Sequence, residues 1–220
     1  MGISTARVAE TSNRGKRRKI VAREFDSPEI RGWLSGEFER ALVEPPEHQH
    51  QIQVGDVPVT IRTIRPADRD IGIDFVRRLS PAAKYLRYHH AIEELETDTL
   101  DRFLSPDYPD EMALIAIVPD NTLPGGIRQI GVARYARGTN PEDAEIAIAV
   151  ADDWQGRGVG RQMLLDLREF ALGVGIRHLV AKVLPQNAQM MKLARKLGFQ
   201  HETADPDEGT VALGKGLPKE

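Results

Sequence analysis

The sequence contains no cysteine, and this absence removes several kinds of chemistry at once. A disulfide framework, a thiolate nucleophile and a cysteine metal site are all excluded. The chain also lacks an apolar run near the ~18 residues that a membrane-spanning helix needs. Its N-terminus lacks the apolar segment of a secretory signal. We therefore expect a soluble, cytoplasmic protein without membrane contact.

An excess of charge of one sign is also missing. The 220 residues include 30 Lys and Arg against 33 Asp and Glu, and the formal net charge is −3. Nucleic-acid-binding domains normally carry a marked basic excess, so the composition argues against a nucleic-acid partner. The 40% of hydrophobic residues are enough for a core. The length fits one domain with a tail better than two domains.

The N-terminal quarter differs from the rest of the chain. A basic cluster at residues 14–19 precedes a segment with weak helical spacing and then a polar stretch at 44–51. Charge blocks of this kind are usually solvated, although contact of the cluster with nucleic acid or an acidic partner stays open. We interpret residues 1–55 as a tail with one short helix and a linker. Residues 56–220 are expected to form one folded domain.

The histidines do not suggest a metal site. His48 and His50 fall in the expected linker. His89 and His90 suit a helix end or a loop, and no third ligand stands at a suitable spacing from them. We therefore expect no bound metal.

From residue 57 onward the pattern is that of a layered α+β (α/β) fold. A strand and three short helices precede a continuous apolar run at 112–118, which is typical of a strand covered on both faces. Strands at 130–136 and 144–150 follow, and we expect the three to form an antiparallel meander. A glycine-rich loop, a helix, a strand, a second helix and a closing strand complete the order.

The glycine-rich loop is the strongest local signal. It carries Gly156, Gly158 and Gly160, separated by Arg157 and Val159, between a strand and an amphipathic helix. Glycine permits positive φ and close approach of a ligand to the backbone. The helix start adds unpaired N–H groups and a partial positive charge. These features predict a phosphate or diphosphate site, although a turn that merely joins strand to helix stays open here.

Two common phosphate motifs do not fit this loop. The P-loop needs Gly-Lys followed by Ser or Thr, and the dinucleotide fingerprint needs a third glycine where Arg161 stands. Residues 155–160, Gln-Gly-Arg-Gly-Val-Gly, instead resemble the acetyl-CoA signature of the GNAT superfamily, Gln/Arg-x-x-Gly-x-Gly/Ala. Residues 187–199, which open with asparagine and close with Gly-Phe, resemble that family's second motif.

The resemblance covers about residues 57–217 and implies the GNAT fold, with a mixed central sheet of six to seven strands and helices on both faces. In this family the fourth and fifth strands part, and the pantetheine arm of acetyl-CoA lies in the opening. The likeness therefore implies acetyl-CoA as the cosubstrate. The residues that it assigns to cofactor binding are Val150 through its main chain, Gln155, Gly156, Arg157, Gly158, Val159, Gly160, Arg161 and Asn187.

Glu145 is the expected catalytic base. It lies on the fourth strand, on the face opposite Ile146 and Ile148, beside the small residues Ala147 and Ala149. An amine with a pKa near ~10.4 is mostly protonated at neutral pH, so a base must accept a proton. We expect Glu145 to be buried, which suits a base. A solvent-facing or salt-bridged residue is the alternative.

The general acid departs from the family pattern. Many GNAT enzymes place a tyrosine seven residues after the asparagine of the second motif, where this sequence has Ala194. Water, or the leaving thiol with its pKa near ~8.5, stays open as a replacement. The tyrosines that stay open as donors are Tyr85, Tyr88, Tyr108 and Tyr135.

The wider pattern resembles the catalytic domain of bacterial protein lysine acetyltransferases. It rests on residues 79–88, 131–135 and 144–147. The likeness implies transfer of acetyl from acetyl-CoA to a primary amine, on a protein lysine or a small molecule, and leaves a homodimer open. A non-catalytic acetyl-CoA-binding regulatory domain is the alternative.

Overall fold

The computed structural model describes residues 45–202 and 209–218. The basic cluster and the short helix expected in the tail lie outside these residues. The strands are β1 (Gln49–Val54), β2 (Val57–Thr63), β3 (Glu111–Pro119), β4 (Ile127–Arg137), β5 (Asp143–Val150), β6 (His178–Val183), β7 (Gln200–Glu202) and β8 (Val211–Gly216). The helices are α1 (Arg69–Arg78), α2 (Pro81–Tyr88), α3 (Thr97–Leu104), α4 (Val159–Gly173) and α5 (Ala188–Lys196).

The strands form one mixed sheet in the order β1-β2-β3-β4-β5-β6-β8-β7. The meander of β3, β4 and β5 is confirmed, and β5 with β6 is the parallel pair among the described strands. The α+β class and the mixed sheet are therefore confirmed. The expected count of six to seven strands is too low, because the residues that the structure describes form eight.

Strand β1 corrects the interpretation of residues 44–51 as a linker. It pairs antiparallel with β2 through a two-residue turn, in which Gly55 has φ +62°. Its glutamines alternate with partly buried His50, Ile52 and Val54. This period of two is a strand signal, and a glycine in the turn is a hairpin signal, but the polar composition hid both. The domain boundary at residue 55 stays a prediction.

The core explains why β3 is apolar throughout. Its alternate residues enter two separate clusters, because successive side chains of a strand point to opposite faces. Met112 and Leu114 belong to the large cluster that includes Met163 and Leu167 of α4. Ile115 packs in a second cluster with residues of α3. Helices on both faces of the sheet are thus confirmed.

Helix α2 begins with two common helix-start signals, a serine cap and a proline. The Oγ of Ser80 accepts a hydrogen bond from the main-chain N–H of Ala83 at 3.1 Å, and Pro81 fills the first helical position. This cap fixes where the helix starts. Among the helices that the structure describes, none combines the length and the apolarity needed to cross a bilayer.

Candidate active site

Strands β5 and β6 part beyond the middle of the sheet. They pair only over Asp143–Glu145 against His178–Val180, although β5 continues to Val150. On its other edge Ala151 donates its N–H to the carbonyl of Ile130 in β4 at 2.8 Å. Alternation along the strand therefore turns the main-chain groups of Val150 toward the β6 side. In the described part of the chain no strand covers that edge, so the predicted opening is present.

The glycine-rich loop lies at the end of β5 where the strands part. Gly156 and Gly158 adopt positive φ, +73° and +93°, which disfavours any side chain at either position. Helix α4 starts directly afterwards at Val159. The N–H groups of its first turn have no intrahelical acceptor, and the helix dipole adds positive potential there. This geometry suits an anion such as a diphosphate.

Gly160 lets α4 approach the sheet closely. A Cβ atom there would lie 3.3 Å from both Ile148 Cδ1 and Val150 Cγ2, and 3.7 Å from Leu193 Cδ2 of α5. These separations are tight for a methyl group, so any larger side chain must displace its neighbours. The glycine therefore sets the distance between the helix start and the parted strands.

Three consecutive residues anchor the loop before its glycines. The carboxylate of Asp152 accepts hydrogen bonds from the N–H and Oγ of Ser80, at 2.9 and 2.6 Å. Asp153 accepts two hydrogen bonds from Arg128, at 2.9 and 3.0 Å. Trp154 is buried in the main hydrophobic cluster and anchors the loop there. The backbone that would bind an anion is therefore held in place. Sequence reasoning missed the partners of the two aspartates because they lie far away along the chain.

The remaining predicted cofactor residues surround the opening. Gln155 donates its Nε2 hydrogen to the carbonyl of Val150 at 3.0 Å, so a ligand at Val150 would have to use the N–H. Asn187 caps α5, because its Oδ1 accepts from the N–H of Met190 at 3.0 Å. The side-chain oxygen of Asn187 thus serves as a helix cap, and its side-chain nitrogen is the group left to bind a ligand.

The two arginines of the loop are exposed. The guanidinium of Arg157 lies 5.2 Å from the ring centroid of Trp154, whereas Arg161 has no carboxylate partner among the described residues. Both can therefore reach an anion in solvent. An arginine donates up to five hydrogen bonds, so each side chain is chemically suited to bind an anion that lies on the amides.

Glu145 lies at the last paired position before the strands part, but it is not buried as expected. Its side chain is 51% exposed, and its Oε2 lies 3.7 Å from Nζ of Lys182. The expectation of a buried base is therefore wrong. The side chain is exposed because its cross-strand neighbour in β4 is Ala136, which is itself exposed and too small to cover a carboxylate.

A cluster of charged and phenolic groups lies near Glu145, at the end of α2. Burial lowers the pKa of Arg87, while the nearby hydroxyl of Tyr88 and the carboxylate of Glu145 oppose that shift. The Nε of Arg87 is buried without a hydrogen-bond partner. Burial also lowers the pKa of Arg134 to about 10, and the charge of Arg87 adds to this. Arg134 is held, because it donates to the carbonyl of Phe103 at 2.9 Å and stacks on its ring.

The four tyrosines now differ in their surroundings. Burial raises the pKa of Tyr108, and no charged neighbour among the described residues contributes to that shift. Tyr135 donates its hydroxyl to the carbonyl of Pro109 at 3.1 Å and lies on the face opposite Glu145, since it pairs with Ile146. Tyr85 is 43% exposed. Burial raises the pKa of Tyr88, which keeps this hydroxyl protonated.

Ala194 faces the core and is fully buried. It lies in α5, the helix that packs beside the opening. A tyrosine at this position would need space that the core does not offer. The position that carries the acid in many family members is thus occupied here by a buried alanine, and the acid must come from elsewhere.

Comparison with known proteins defines the class. Residues 59–200 match the family model described as Acetyltransferase (GNAT) domain. An acetyltransferase of Pseudomonas aeruginosa is 34% identical over 155 residues, which cover 70% of this chain and 81% of that protein. The protein is therefore an acyltransferase. The chain belongs to the GNAT acetyltransferase family, and the resemblance inferred from its two motifs is confirmed.

Other relatives are more distant. Acetyltransferase Pat of Mycolicibacterium smegmatis is 29% identical over 174 residues, which cover 75% of this chain but 50% of that protein. The crystal structure of the GNAT domain of S. lividans PAT superposes with a TM-score of 0.69 at 28% identity, covering 79% of this chain and all of that one. The yncA protein of Salmonella typhimurium, solved with its cofactor acetyl-CoA, shares the fold at a TM-score of 0.57 and 21% identity, covering 74% of this chain and 95% of that one.

Proposed function

We propose that the protein transfers the acetyl group of acetyl-CoA to a primary amine, with an accessible protein lysine as the acceptor. The observation that carries this proposal is the opening between β5 and β6 beside the free amides of α4. Its place in the sheet supports a cofactor whose diphosphate lies on the loop and whose arm runs along β5. The yncA protein, of the same fold, has been solved with acetyl-CoA.

Cofactor binding is assigned to the loop and the adjoining strand. The amides from Gly156 to Arg161 would hold the diphosphate, and the N–H of Val150 would bond the pantetheine arm as an added strand does. Asn187 would donate from the other side of the opening. Strand geometry advances ~3.3 Å per residue, so an arm running back along β5 from Val150 brings the thioester toward Glu145.

The transfer is direct. The neutral amine attacks the carbonyl carbon of the thioester, the C–S bond breaks, and CoA leaves as a thiolate that takes up a proton. Glu145 is the group proposed to accept the proton of the amine, directly or through water. The positive charges of Arg87 and Arg134 disfavour a protonated amine beside them. This cluster therefore raises the fraction of acceptor that can react.

Tyr88 is the proposed proton donor to the leaving thiolate. It is the tyrosine whose charged neighbours, Arg87 and Arg134, belong to the cluster near Glu145. Burial keeps its hydroxyl protonated, as an acid requires. Ala194 leaves no competing donor at the position that the family usually uses.

The exposed position of Glu145 favours a macromolecular acceptor. A side chain that is 51% exposed can be reached by a lysine on a protein surface without prior opening of a lid. Small amines with a free amino group could reach the same carboxylate, so the test must compare both.

Purified protein should be incubated with acetyl-CoA and a panel of lysine peptides, folded proteins and small amines, while thiol release and acetylated product are measured. Calorimetry should follow acetyl-CoA binding in parallel. We expect saturable binding and turnover with lysine-containing acceptors. Tight binding without turnover on any acceptor would contradict catalysis and favour a regulatory domain, whereas absent binding would overturn the cofactor assignment itself.

A further inference from the structure

Two histidines and an aspartate converge on the side of the sheet that faces α4, away from the acetyl-transfer site. His48 precedes β1, His50 lies within it, and Asp166 projects from α4. One ligand atom from each lies within 4.8 Å of the other two. The Nε2 of His48 is 3.1 Å from Nδ1 of His50, and the Nε2 of His50 is 3.6 Å from Oδ2 of Asp166.

The carboxylate of Asp166 is only half satisfied. Its Oδ1 accepts a hydrogen bond from Nε2 of Gln162 at 2.8 Å. Its Oδ2 is buried and accepts no hydrogen bond, and the side chain is 11% exposed. A buried carboxylate oxygen without a donor or a cation costs free energy. The bond from Gln162 orients the carboxylate so that the unsatisfied oxygen faces His50.

The imidazole of His48 is also held by its neighbours. The main-chain N–H of His48 donates to Oγ1 of Thr63 at 3.2 Å, and the hydroxyl of Thr63 donates to the carbonyl of Pro46 at 2.9 Å, so the backbone that carries the ring is fixed. The edge of its ring packs against Phe170 of α4, with the centroids 5.2 Å apart. Because His48 and His50 are two residues apart along extended chain, both rings point to the same face.

We propose that His48, His50 and Asp166 bind a divalent transition-metal ion, with Zn²⁺ as the best match. The two imidazole nitrogens favour Zn²⁺ over Mg²⁺ or Ca²⁺, which prefer oxygen ligands, and Zn²⁺ also accepts a carboxylate oxygen. Bonds of ~2.0–2.2 Å in a tetrahedral site set ligand atoms roughly 3.4 Å apart. Both short separations involve His50 but through different ring nitrogens, so they are not two edges of one tetrahedron. One ligand atom from each residue nevertheless lies within 4.8 Å of the other two, so a single ion could draw the three together.

The proposal replaces the sequence prediction that no metal is bound. His50 contributes one ring nitrogen to the ion, so its ring must turn from the orientation in which its two nitrogens face His48 and Asp166 separately. Three protein ligands leave a fourth position for water. The ion would fasten the edge strand β1 to α4, and it would contact none of the groups assigned to acetyl transfer.

The competing arrangement is a chain of hydrogen bonds from His48 through His50 to Asp166, without an ion. It uses both ring nitrogens of His50 and leaves no vacancy for a metal. The two arrangements differ in one measurable respect, since only the first takes up one ion per chain.

The test uses the full chain, freed of any histidine tag and stripped with a chelator. Zn²⁺ should be titrated by calorimetry, and Co²⁺ should be added for absorption spectroscopy, because tetrahedral Co²⁺ absorbs far more strongly than octahedral Co²⁺. We expect one ion per chain and a rise in melting temperature with added Zn²⁺. We expect His50→Gln and Asp166→Asn to abolish the saturable uptake.

Two further variants distinguish a specific Zn²⁺ site from nonspecific Zn²⁺ binding at the surface. His201→Ala removes an exposed histidine of β7 and should leave the uptake unchanged. Gln162→Ala removes the bond that orients Asp166 and should weaken Zn²⁺ binding about 10-fold or more. The circular-dichroism spectra of all variants in chelator must match that of the parent. No uptake by the parent, or equal uptake by His50→Gln or Asp166→Asn, would overturn the proposal.

Discussion

The glycine-rich loop and the cluster of charged and phenolic groups near Glu145 are built in opposite ways. In the loop, main-chain groups are proposed to do the binding, and side chains such as Asp152 and Asp153 only hold that backbone in place. In the cluster, the working groups are side chains, and Arg87 and Glu145 come from different elements. The difference teaches that binding by backbone leaves a contiguous sequence signature, whereas a side-chain pocket leaves none.

The largest effect is expected at the proposed base. Replacing Glu145 by Gln keeps the shape of the side chain but removes the proton acceptor, so kcat should fall by ~10²–10⁴. Acetyl-CoA affinity should not change, because the carboxylate lies away from the loop. Initial rates and calorimetry measure the two quantities. Glu142→Gln is the matched control, and full activity of Glu145→Gln would assign the base elsewhere.

The next effect concerns the loop side. Gly160→Val forces a branched side chain against Ile148 and Val150, and such overpacking costs about 1–3 kcal/mol. A shift of the α4 start that relieves this crowding would displace the amides proposed to bind the diphosphate. We therefore expect acetyl-CoA affinity to fall about 10-fold or more, which is about 1.4 kcal/mol of binding free energy. Gly173→Ala, in open space at the other end of α4, is the control. Unchanged affinity of the valine variant would separate the loop from cofactor binding.

A smaller effect is expected at the proposed acid. Tyr88→Phe should lower kcat about 10-fold, as the loss of one hydrogen-bond donor costs ~0.5–1.5 kcal/mol. Because burial raises the pKa of Tyr88, the parent enzyme should keep this donor protonated where an ordinary tyrosine with a pKa near ~10 begins to ionise, so loss of this proton should cause no decline in activity between about pH 8 and about pH 10. Rates over that interval test both statements. Tyr85→Phe should behave like the parent, and an equal loss in both variants would refute the assignment.

The smallest effect is expected at the ion pair of Glu145. Lys182→Ala removes a partner at 3.7 Å from an exposed carboxylate. Surface pairs contribute only ~0.2–1 kcal/mol, so the free energy of unfolding should change by less than about 1 kcal/mol. Denaturant melts of this variant beside Lys192→Ala check the value. A large loss would mean that Lys182 supports the sheet and not merely its surface.

The sequence predicted the loop well because its features lie within ten neighbouring residues. Gly158 needs positive φ and Gly160 needs close contact, and each requirement selects the same amino acid. The meander of β3, β4 and β5 followed from their apolar and alternating runs. These features depend on local backbone geometry, which a linear pattern records.

The rest depends on contacts between distant elements. Alternation along β5 showed which face Glu145 occupies, but its exposure depends on Ala136 across the sheet. The approach of Arg87 to Arg134 requires α2 and β4 to pack as they do. Strand β1 was missed because its glutamines made a half-buried strand resemble a linker.

The hydrogen bonds between Asp152 and Ser80 have a practical consequence for redesign of acceptor preference. Ser80 caps the helix that carries Arg87 and Tyr88, while Asp152 begins the approach to the glycine loop. If residues 79–88 are exchanged for those of another family member, a poor fit of the new segment at position 80 would therefore also disturb Asp152 and the glycine-rich loop. Exchanged segments should retain a serine at position 80, so that the new helix keeps both its N-terminal cap and its hydrogen bonds to Asp152.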